Sequence, residues 1–300
     1  MNTLHKIKQS VIGSYVSIIL MYIVVALMGL FIFSFKSEGN DILYLFYADC
    51  MATIIIWLFG VLFSNSSIYD PYWSVAPPFI LTLLVLYYGI ITIPIVLLLI
   101  AIWLWAIRLT INWTLTFPNL SHQDWRYTQF KERNPKIWQL INLTGIHLVP
   151  TIVVFLAMIP AFYLLQIEAE ANIFTYLSFD LCLSAVLLQL ISDIQMRNFR
   201  KANKGKVCNA GFWKYSRHPN YLGEILLWWG VYFILLSVAP QYWWLIFCPL
   251  ANNLLFLFVS IPLMEKRQLN NKQEYADYIK ITGKLIPNLI KKSIKYNNDK

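Results

Sequence analysis

The stretch GFWKYSRHPNYLGEILLWWGVYFILLSV, from Gly211 to Val238, contains the two features that decide the fold. Its first part is basic, with Lys214 and Arg217, and its second part, from Tyr221 to Val238, is almost wholly apolar. A helix needs about 20 mostly apolar residues to cross the hydrocarbon core of a bilayer. The stretch therefore predicts a transmembrane helix that begins directly after a basic loop.

The same apolar pattern recurs along the rest of the chain. Eight segments come close to the length of a membrane span: Ser14–Phe35, Ile42–Phe63, Ser74–Ile91, Pro94–Leu115, Ile141–Gln166, Ile173–Ile191, Tyr221–Val238 and Tyr242–Met264. No charged residue separates the third segment from the fourth, so seven or nine spans also fit the pattern. The sequence predicts an all-α, polytopic membrane bundle of about seven to eight transmembrane helices.

The composition excludes a soluble domain. Hydrophobic residues make up 58% of the chain, charged residues 13%, and the mean hydropathy is +0.56, whereas soluble domains carry about 25% charged residues. The net charge of +9 does not indicate a nucleic-acid partner, because the basic residues lie between apolar runs. The four cysteines lack CxxC spacing, which predicts reduced, buried thiols and neither a disulfide framework nor a metal site.

The basic residues predict the orientation of the chain in the membrane. The chain has 24 Lys and Arg residues. With the N-terminus in the cytoplasm, all of them except Lys36 fall on or near the cytoplasmic side, as the positive-inside rule requires. We therefore predict that both termini are cytoplasmic, including the polar tail from Lys291. Asp49 and Asp180 lie toward the outer leaflet in this topology and are assigned no role.

The densest polar group surrounds the basic loop. Asp193, Arg197 and Arg200 are spaced i, i+4 and i+7 and share one helix face, which Gln189 extends by a turn. Arginine side chains suit phosphate groups. The alternative is that these residues only set the topology of a cytoplasmic loop. The position of Asp193 among the arginines, at the end of a span, favours a binding site.

Glu224 lies in the first turn of the helix that follows, on the same face as Tyr221 and Trp228. An ionisable residue within a span is unfavourable and usually faces a partner or a water-filled cavity. The alternative is a glutamate stabilised by the partial positive charge at a helix N-terminus.

The motif RHPNYLGE (Arg217–Glu224), preceded by GFWKYS, resembles the signature of the steroid 5-alpha-reductase-like membrane proteins, most closely their bacterial branch. Further matches follow in family order: YDPYWS (Tyr69–Ser74), RLTINW (Arg108–Trp113), QDWRY (Gln123–Tyr127), GIHLVP (Gly145–Pro150) and Tyr275–Pro287. The RHPxYxG element alone is shared with isoprenylcysteine carboxyl methyltransferases. The resemblance implies a bacterial inner-membrane protein in which residues 1–120 form the substrate side and residues 121–300 bind NADPH from the cytoplasmic side.

The resemblance also implies which residues form the site. The expected cofactor-binding residues are Asp193, Arg197, Arg200, Lys206, Arg217, His218, Asn220, Tyr221 and Glu224. The expected catalytic residues are Tyr221, Glu224 and Asp70, and the expected substrate contacts are Arg108, Asn112 and Tyr72.

Two features of the sequence qualify this assignment. The Glu and Tyr with which the steroid reductases polarise the substrate carbonyl have no aligned counterpart; Asp70, Tyr72 and Tyr88 are available substitutes. The sequence contains no GxGxxG motif, so a Rossmann domain is not expected and side chains must hold any dinucleotide.

His147 is interpreted as a buried, hydrogen-bonded residue.

Three functions follow from these observations. The leading hypothesis is an NADPH-dependent reductase of a lipid-soluble, steroid-like or enone-like substrate. The second is an S-adenosylmethionine-dependent lipid methyltransferase; those enzymes usually carry paired glutamates after the last span, where Met264-Glu265 supplies one. The third is a non-enzymatic lipid-binding protein. The expected partners are the lipid bilayer and a small lipid-soluble molecule, and the oligomeric state is open.

Overall fold

The computed structural model describes residues 3–37 and 39–287, and its regular elements are helices. The α-helices are α1 Thr3–Gln9, α2 Val11–Phe33, α3 Asp41–Leu62, α4 Tyr72–Tyr88, α5 Ile93–Thr114, α6 Trp125–Arg133, α7 Trp138–Ile141, α8 Val149–Leu164, α9 Ile173–Ala202, α10 Pro219–Val238, α11 Phe247–Leu255, α12 Ile261–Asn271 and α13 Tyr275–Ile281. Two π-helical stretches, Asn142–Leu148 and Phe256–Ser260, connect α7 to α8 and α11 to α12. The described part of the chain has no strand and hence no Rossmann domain, which confirms the predicted all-α class.

Within residues 3–37 and 39–287, eight helical segments are long and apolar enough to cross a membrane. Their outward surfaces are apolar too: on α2, Ile12 is 76% exposed and Leu20 is 58% exposed. Such a surface is stable against lipid tails but not against water. The protein is therefore a multi-pass integral membrane protein, as predicted.

The boundary between the third and fourth spans is a glycine turn. Gly89 follows Tyr88 with φ of 69°, in the left-handed region, and its N–H donates to the carbonyl of Val85. Glycine adopts this conformation without strain and commonly ends helices in this way. The turn separates α4 from α5, so the described residues contain eight candidate spans, within the predicted range.

Helix α9 is longer than the sixth apolar segment. The prediction ended that span at Ile191, whereas α9 continues to Ala202. The apolar run ends at Ile191, but residues such as Gln195, Arg197 and Lys201 are good helix formers and prolong the helix beyond it. The continuation places Asp193, Arg197 and Arg200 on one helix, as their spacing predicts.

The chain forms two compact units. Unit 1 contains Met1–Ile91 and Ile102–Glu168, and unit 2 contains Thr92–Ala101 and Ala169–Lys300. The predicted division at residue 120 was one of functional role, which this packing does not test. The predicted polar tail from Lys291 lies outside the described residues.

Unit 1 is organised around α3, which packs against α2 and α8. Its core includes Ile18 and Val25 of α2, Ile56 of α3, and the rings of Tyr69 and Tyr72. The loop after α5 is fixed to this core because Asn65 donates hydrogen bonds to the carbonyls of Leu120 at 2.7 Å and His122 at 3.0 Å.

Unit 2 is organised around the close pairing of α9 and α10. A Cβ added at Gly223 would lie 2.7 Å from the carbonyl oxygen of Ala185, and one at Gly230 would lie 3.2 Å from that of Ser178. Small residues permit such close approach of transmembrane helices. The glycine of the RHPNYLGE motif is therefore required by helix packing.

The orientation of the spans gives a first testable expectation. Because all basic residues but Lys36 fall on or near one side, reporter fusions at Asn40 and Asn172 are expected outside the cytoplasm. Fusions at Gly205 and Lys300 are expected inside. The check is a paired alkaline-phosphatase and fluorescent-protein assay at each position, and an external signal at Gly205 would contradict the topology.

Candidate functional site

Unit 1 contains a cavity of about 680 Å³. It is lined by α2, α3 and α4 and by the last residues of α5. The lining residues on α2 and α3 are Tyr15, Ile18, Ile19, Tyr22, Ile23, Val25, Ala26, Gly29, Leu30, Phe33, Leu45, Ala48, Asp49 and Ala52. Those on α4 and α5 include Tyr72, Val75, Phe79, Leu83, Leu84, Tyr87, Thr110 and Trp113. Small-molecule sites have volumes of about 300–1,000 Å³ and mostly apolar walls with few polar groups. The cavity has the character of a site for a lipid-soluble ligand.

Asp49 and Tyr72 form the principal polar feature of its wall. The Tyr72 hydroxyl donates a hydrogen bond of 2.5 Å to Asp49 Oδ1. Both residues are buried within the protein, at 8% and 6% exposure, and both line the cavity. A carboxyl and a phenol at one point of an apolar wall fix where the polar group of a ligand can bind.

A row of hydroxyl groups continues from this pair into the unit. Thr53 lies within hydrogen-bonding reach of the Tyr72 hydroxyl. Its own hydroxyl is 2.8 Å from that of Thr151, which is 2.9 Å from the Tyr69 hydroxyl. These bonds hold Tyr72 in place, because each buried hydroxyl is satisfied by the next.

His147 lies beside Tyr69, with the ring centroids 4.5 Å apart. It belongs to the π-helical stretch before α8, and its Nδ1 is 2.8 Å from the carbonyl oxygen of Asn142. This agrees with the interpretation as a buried, hydrogen-bonded histidine. Its Nε2 atom has no hydrogen-bond partner among the described residues.

Asp70, predicted to be catalytic, does not line the cavity. Its carboxylate accepts a short hydrogen bond from the Tyr127 hydroxyl and lies 4.0 Å from the Arg126 guanidinium. Burial and the neighbouring Asp70 carboxylate raise the pKa of Tyr127, so this phenol stays protonated. The contact joins the start of α4 to α6 and gives Asp70 a structural partner on the loop.

The remaining residues predicted on the substrate side differ in their surroundings. Arg108 is buried at 8% exposure and Asn112 is half-buried, and neither lines the cavity. Tyr88 donates a 2.7 Å hydrogen bond to Asp41, which also pairs with Lys36 at 2.8 Å. Tyr72 is thus the predicted substrate residue that the structure places in the cavity wall.

In unit 2, two of the predicted cofactor residues, Asp193 and Asn220, are joined where α9 meets the start of α10. Pro219 occupies the first turn of α10, a favourable position because its missing N–H would have no helical partner there. The Asn220 amide donates to Asp193 at 3.4 Å. The Trp228 indole donates to Glu224 at 3.0 Å, so Glu224 is bound from the next turn of its own helix.

Gln189 lies one turn before Asp193 on α9 and is fully buried. Neither its amide oxygen nor its amide nitrogen has a hydrogen-bond partner among the described residues. A buried amide with both ends unbonded is unfavourable by about 1–3 kcal/mol for each group. The neighbourhood of Asp193 therefore contains unused hydrogen-bonding capacity.

Arg217 is committed to contacts within unit 2. Its Nε donates to Glu265 at 2.7 Å, and its Nη1 donates to the carbonyls of Ile279 at 3.1 Å and Thr282 at 2.5 Å. His218 also lies 3.1 Å from Glu265. Burial lowers the pKa of His218, and the Glu265 carboxylate offsets this only in part, so the imidazole is neutral near pH 7.

The other predicted cations are more accessible. Arg200 and Lys206 are exposed and Arg197 is half-buried, so their charged groups can contact an anion. Tyr221 stacks in parallel on the His218 ring, with centroids 5.3 Å apart. Its other neighbour is Phe256 at 4.9 Å, so the ring is held between the loop and the last span.

No role was assigned to Asp49 from the sequence, although the structure places its carboxyl in the cavity wall. The signal was present, since a lone aspartate in an apolar span is a candidate functional residue. What the sequence could not show was its partner, because Tyr72 lies on a different helix.

The comparisons with known proteins find a family and a relative for which no reaction is named. Residues 14–282 match the family described as "Protein of unknown function (DUF1295)". The chain is 24% identical over 265 residues to "Uncharacterized protein C594.04c" of Schizosaccharomyces pombe, which covers 78% of this chain and 76% of that protein. No solved structure matches the chain significantly. Because the family match extends over most of the sequence, the chain belongs to the DUF1295 family.

Proposed function

We propose that this protein is a membrane-embedded, NADPH-dependent reductase of a lipid-soluble substrate with a conjugated carbonyl group. The observation that carries the proposal is the Tyr72–Asp49 pair in the wall of an otherwise apolar cavity. When Asp49 is protonated, the pair carries two O–H groups. One joins the two residues, and the other is free to donate to a carbonyl oxygen of the ligand.

This arrangement suits the reduction of an enone. Negative charge develops on the carbonyl oxygen when the conjugated double bond is reduced, and a positioned O–H group stabilises that charge. The surrounding apolar side chains exclude water, which strengthens the same hydrogen bond. Tyr72 and Asp49 thus take the role that the resemblance assigns to a Glu and a Tyr of the N-terminal helices.

The residues of unit 2 fit NADPH by their chemistry. Arg197, Arg200 and Lys206 present accessible cations for phosphates, and the unbonded amide of Gln189 matches the carboxamide of a nicotinamide in hydrogen-bonding type. Arg217 would support the site indirectly, by fixing the loop that leads to Asn220 and Tyr221. When bound, NADPH would supply the hydride, which is the chemistry that no side chain provides.

Binding measurements test the cofactor. The purified protein is expected to bind NADPH more tightly than S-adenosylmethionine, and Arg200→Ala is expected to weaken NADPH binding roughly tenfold, since one charge-assisted contact is worth about 1.5–3 kcal/mol. Lys201→Ala is the matched control, because Lys201 is also exposed and occupies the neighbouring position on α9. Tight S-adenosylmethionine binding without NADPH binding would favour the methyltransferase alternative instead.

A turnover assay tests the reaction. Membranes that contain the protein are supplied with NADPH and a panel of lipid-soluble enones and quinones, and NADPH oxidation is followed together with the reduced product. Oxidation above that of membranes without the protein supports the proposal. Ligand binding with no oxidation across the panel would favour the non-enzymatic alternative.

A further inference from the structure

The shape of the cavity in unit 1 restricts the ligand further. Its lining residues on α2 run from Tyr15 to Phe33, which is about 27 Å at 1.5 Å per residue and close to the roughly 30 Å of a hydrocarbon core. A sphere of the same 680 Å³ would be only about 11 Å across. The cavity is therefore long and narrow.

The polar pair does not lie at the end of this cavity. The ring centroids of Tyr22 and Tyr72 are 6.2 Å apart, so Tyr22 marks the position of the Tyr72–Asp49 pair along α2. Phe33 lies about 16 Å further along that helix. The part of the cavity between Tyr22 and Phe33 is its longer arm. The side chains that line this arm, such as Leu30 and Leu83, are apolar. A ligand whose carbonyl meets Tyr72 thus has a long apolar arm available to it.

A cluster of side chains limits the arm at its Phe33 end. The rings of Phe33 and Tyr87 are in edge contact at 5.9 Å, and the Lys36 ammonium lies 4.6 Å from the Tyr87 centroid. Lys36 also pairs with Asp41 at 2.8 Å. These contacts tie α2, α3 and α4 together, and we take this cluster as the end of the arm.

Gly29 lies within the arm and makes room there. A Cβ added at Gly29 would have no neighbouring atom within 4 Å, so no close helix contact explains the glycine. Glycine in the middle of a helix is unfavourable relative to alanine. Gly29 lines the cavity. The absence of a side chain there keeps the arm open, because any larger side chain would fill it.

We infer that this arm, bounded by Gly29, Leu30, Leu83, Leu84, Phe33 and Tyr87, binds a straight hydrocarbon chain and that Gly29 sets the length of chain admitted. The substrate class is accordingly a straight-chain, lipid-soluble enone and not a compact fused-ring one. The inference rests on the proposed function, because it takes the Tyr72–Asp49 pair as the contact for the carbonyl.

The test measures binding in lipid nanodiscs without NADPH. The probes are straight-chain enones with octyl and hexadecyl tails, together with a fused-ring enone. Gly29→Trp is expected to weaken hexadecyl relative to octyl binding roughly tenfold or more, because the added ring excludes the tail. Taking the ratio of the two affinities cancels their different partition into the bilayer. Leu27→Trp is the control, since Leu27 is 61% exposed on the same helix and does not line the cavity.

A second variant and a mapping step keep the result interpretable. Gly29→Leu fills less of the arm and is expected to shift the ratio in the same direction if the Trp variant does not fold. A hexadecyl enone with a diazirine at the chain end is expected to label the wild-type segments around Leu30 and Leu83. An unchanged affinity ratio in both Gly29 variants, labelling elsewhere, or tighter binding of the fused-ring enone would each overturn the inference.

The outcomes separate this inference from the reductase proposal. A chain-length effect of Gly29 without any NADPH oxidation would leave the hydrocarbon subsite standing and remove the reductase. NADPH oxidation with no chain-length effect would support the reductase and remove the hydrocarbon subsite.

Discussion

Replacing Tyr72 with Phe is expected to lower the rate of enone reduction by about 10²–10⁴-fold, the range that a positioned proton donor contributes. The change removes one hydroxyl and keeps the ring that packs in the core of unit 1. NADPH binding is expected to be unchanged, because its proposed residues lie in unit 2. The measurement is single-turnover kinetics with saturating NADPH, so that substrate binding and chemistry are separated.

Tyr22→Phe is the matched control for this variant. Tyr22 also lines the cavity, but its hydroxyl donates a 2.8 Å hydrogen bond to the backbone carbonyl of Ile68, a partner that has no O–H of its own to offer a ligand. Its loss is expected to change the rate by less than about threefold while reducing stability by about 1 kcal/mol. Equal rates for wild type and Tyr72→Phe would remove Tyr72 from the reaction.

Asp49→Asn separates the carboxyl from the phenol. Asparagine keeps the size of the side chain and can still accept the hydrogen bond of Tyr72 through its amide oxygen, but it cannot supply an acidic O–H. If the carboxyl supplies the proton, this variant loses as much activity as Tyr72→Phe. If the carboxyl only orients the phenol, most of the activity is retained.

Removing the Glu265 carboxylate is expected to produce the largest loss of stability. Glu265→Ala leaves the Arg217 guanidinium buried at 8% exposure without its counter-charge, and breaking one side of a buried pair is unfavourable by about 3–5 kcal/mol. Neutral His218 cannot balance that charge. Because Arg217 also holds the carbonyls of Ile279 and Thr282, the segment after α12 is expected to detach with it. Thermal unfolding in detergent and proteolysis after α12 measure the effect.

The double variant Arg217→Met, Glu265→Leu provides the decisive comparison. It removes both charges and restores apolar packing, so most of the lost stability is expected to return. Asp277→Ala is the control, because its 2.8 Å pair with Lys280 is exposed and contributes at most about 1 kcal/mol. Additive losses in the double variant would show that the two side chains are not coupled. If that variant still binds NADPH, Arg217 is not a phosphate contact.

The class of the protein and most of its layout can be inferred from the amino-acid sequence alone. The apolar runs and the scarcity of charge left no stable alternative to membrane helices, because unsatisfied backbone groups are excluded from a bilayer. The spacing of Asp193, Arg197 and Arg200 likewise placed them on one face, since helical periodicity is a local property. These features depend on residues close together in the chain, so they can be inferred without knowing which helices touch.

The contacts of those residues depend on how the helices pack. The resemblance suggested Arg217 as a cofactor-binding residue, and the folded structure adds that its Nε donates to Glu265 and its Nη1 donates to the carbonyls of Ile279 and Thr282. Asp49 was assigned no role from the sequence, because its partner Tyr72 lies on another helix.

The cavity and the open space at Gly29 exist only once four helices are packed. A pocket is formed by surfaces that are distant in sequence, so no local pattern encodes it.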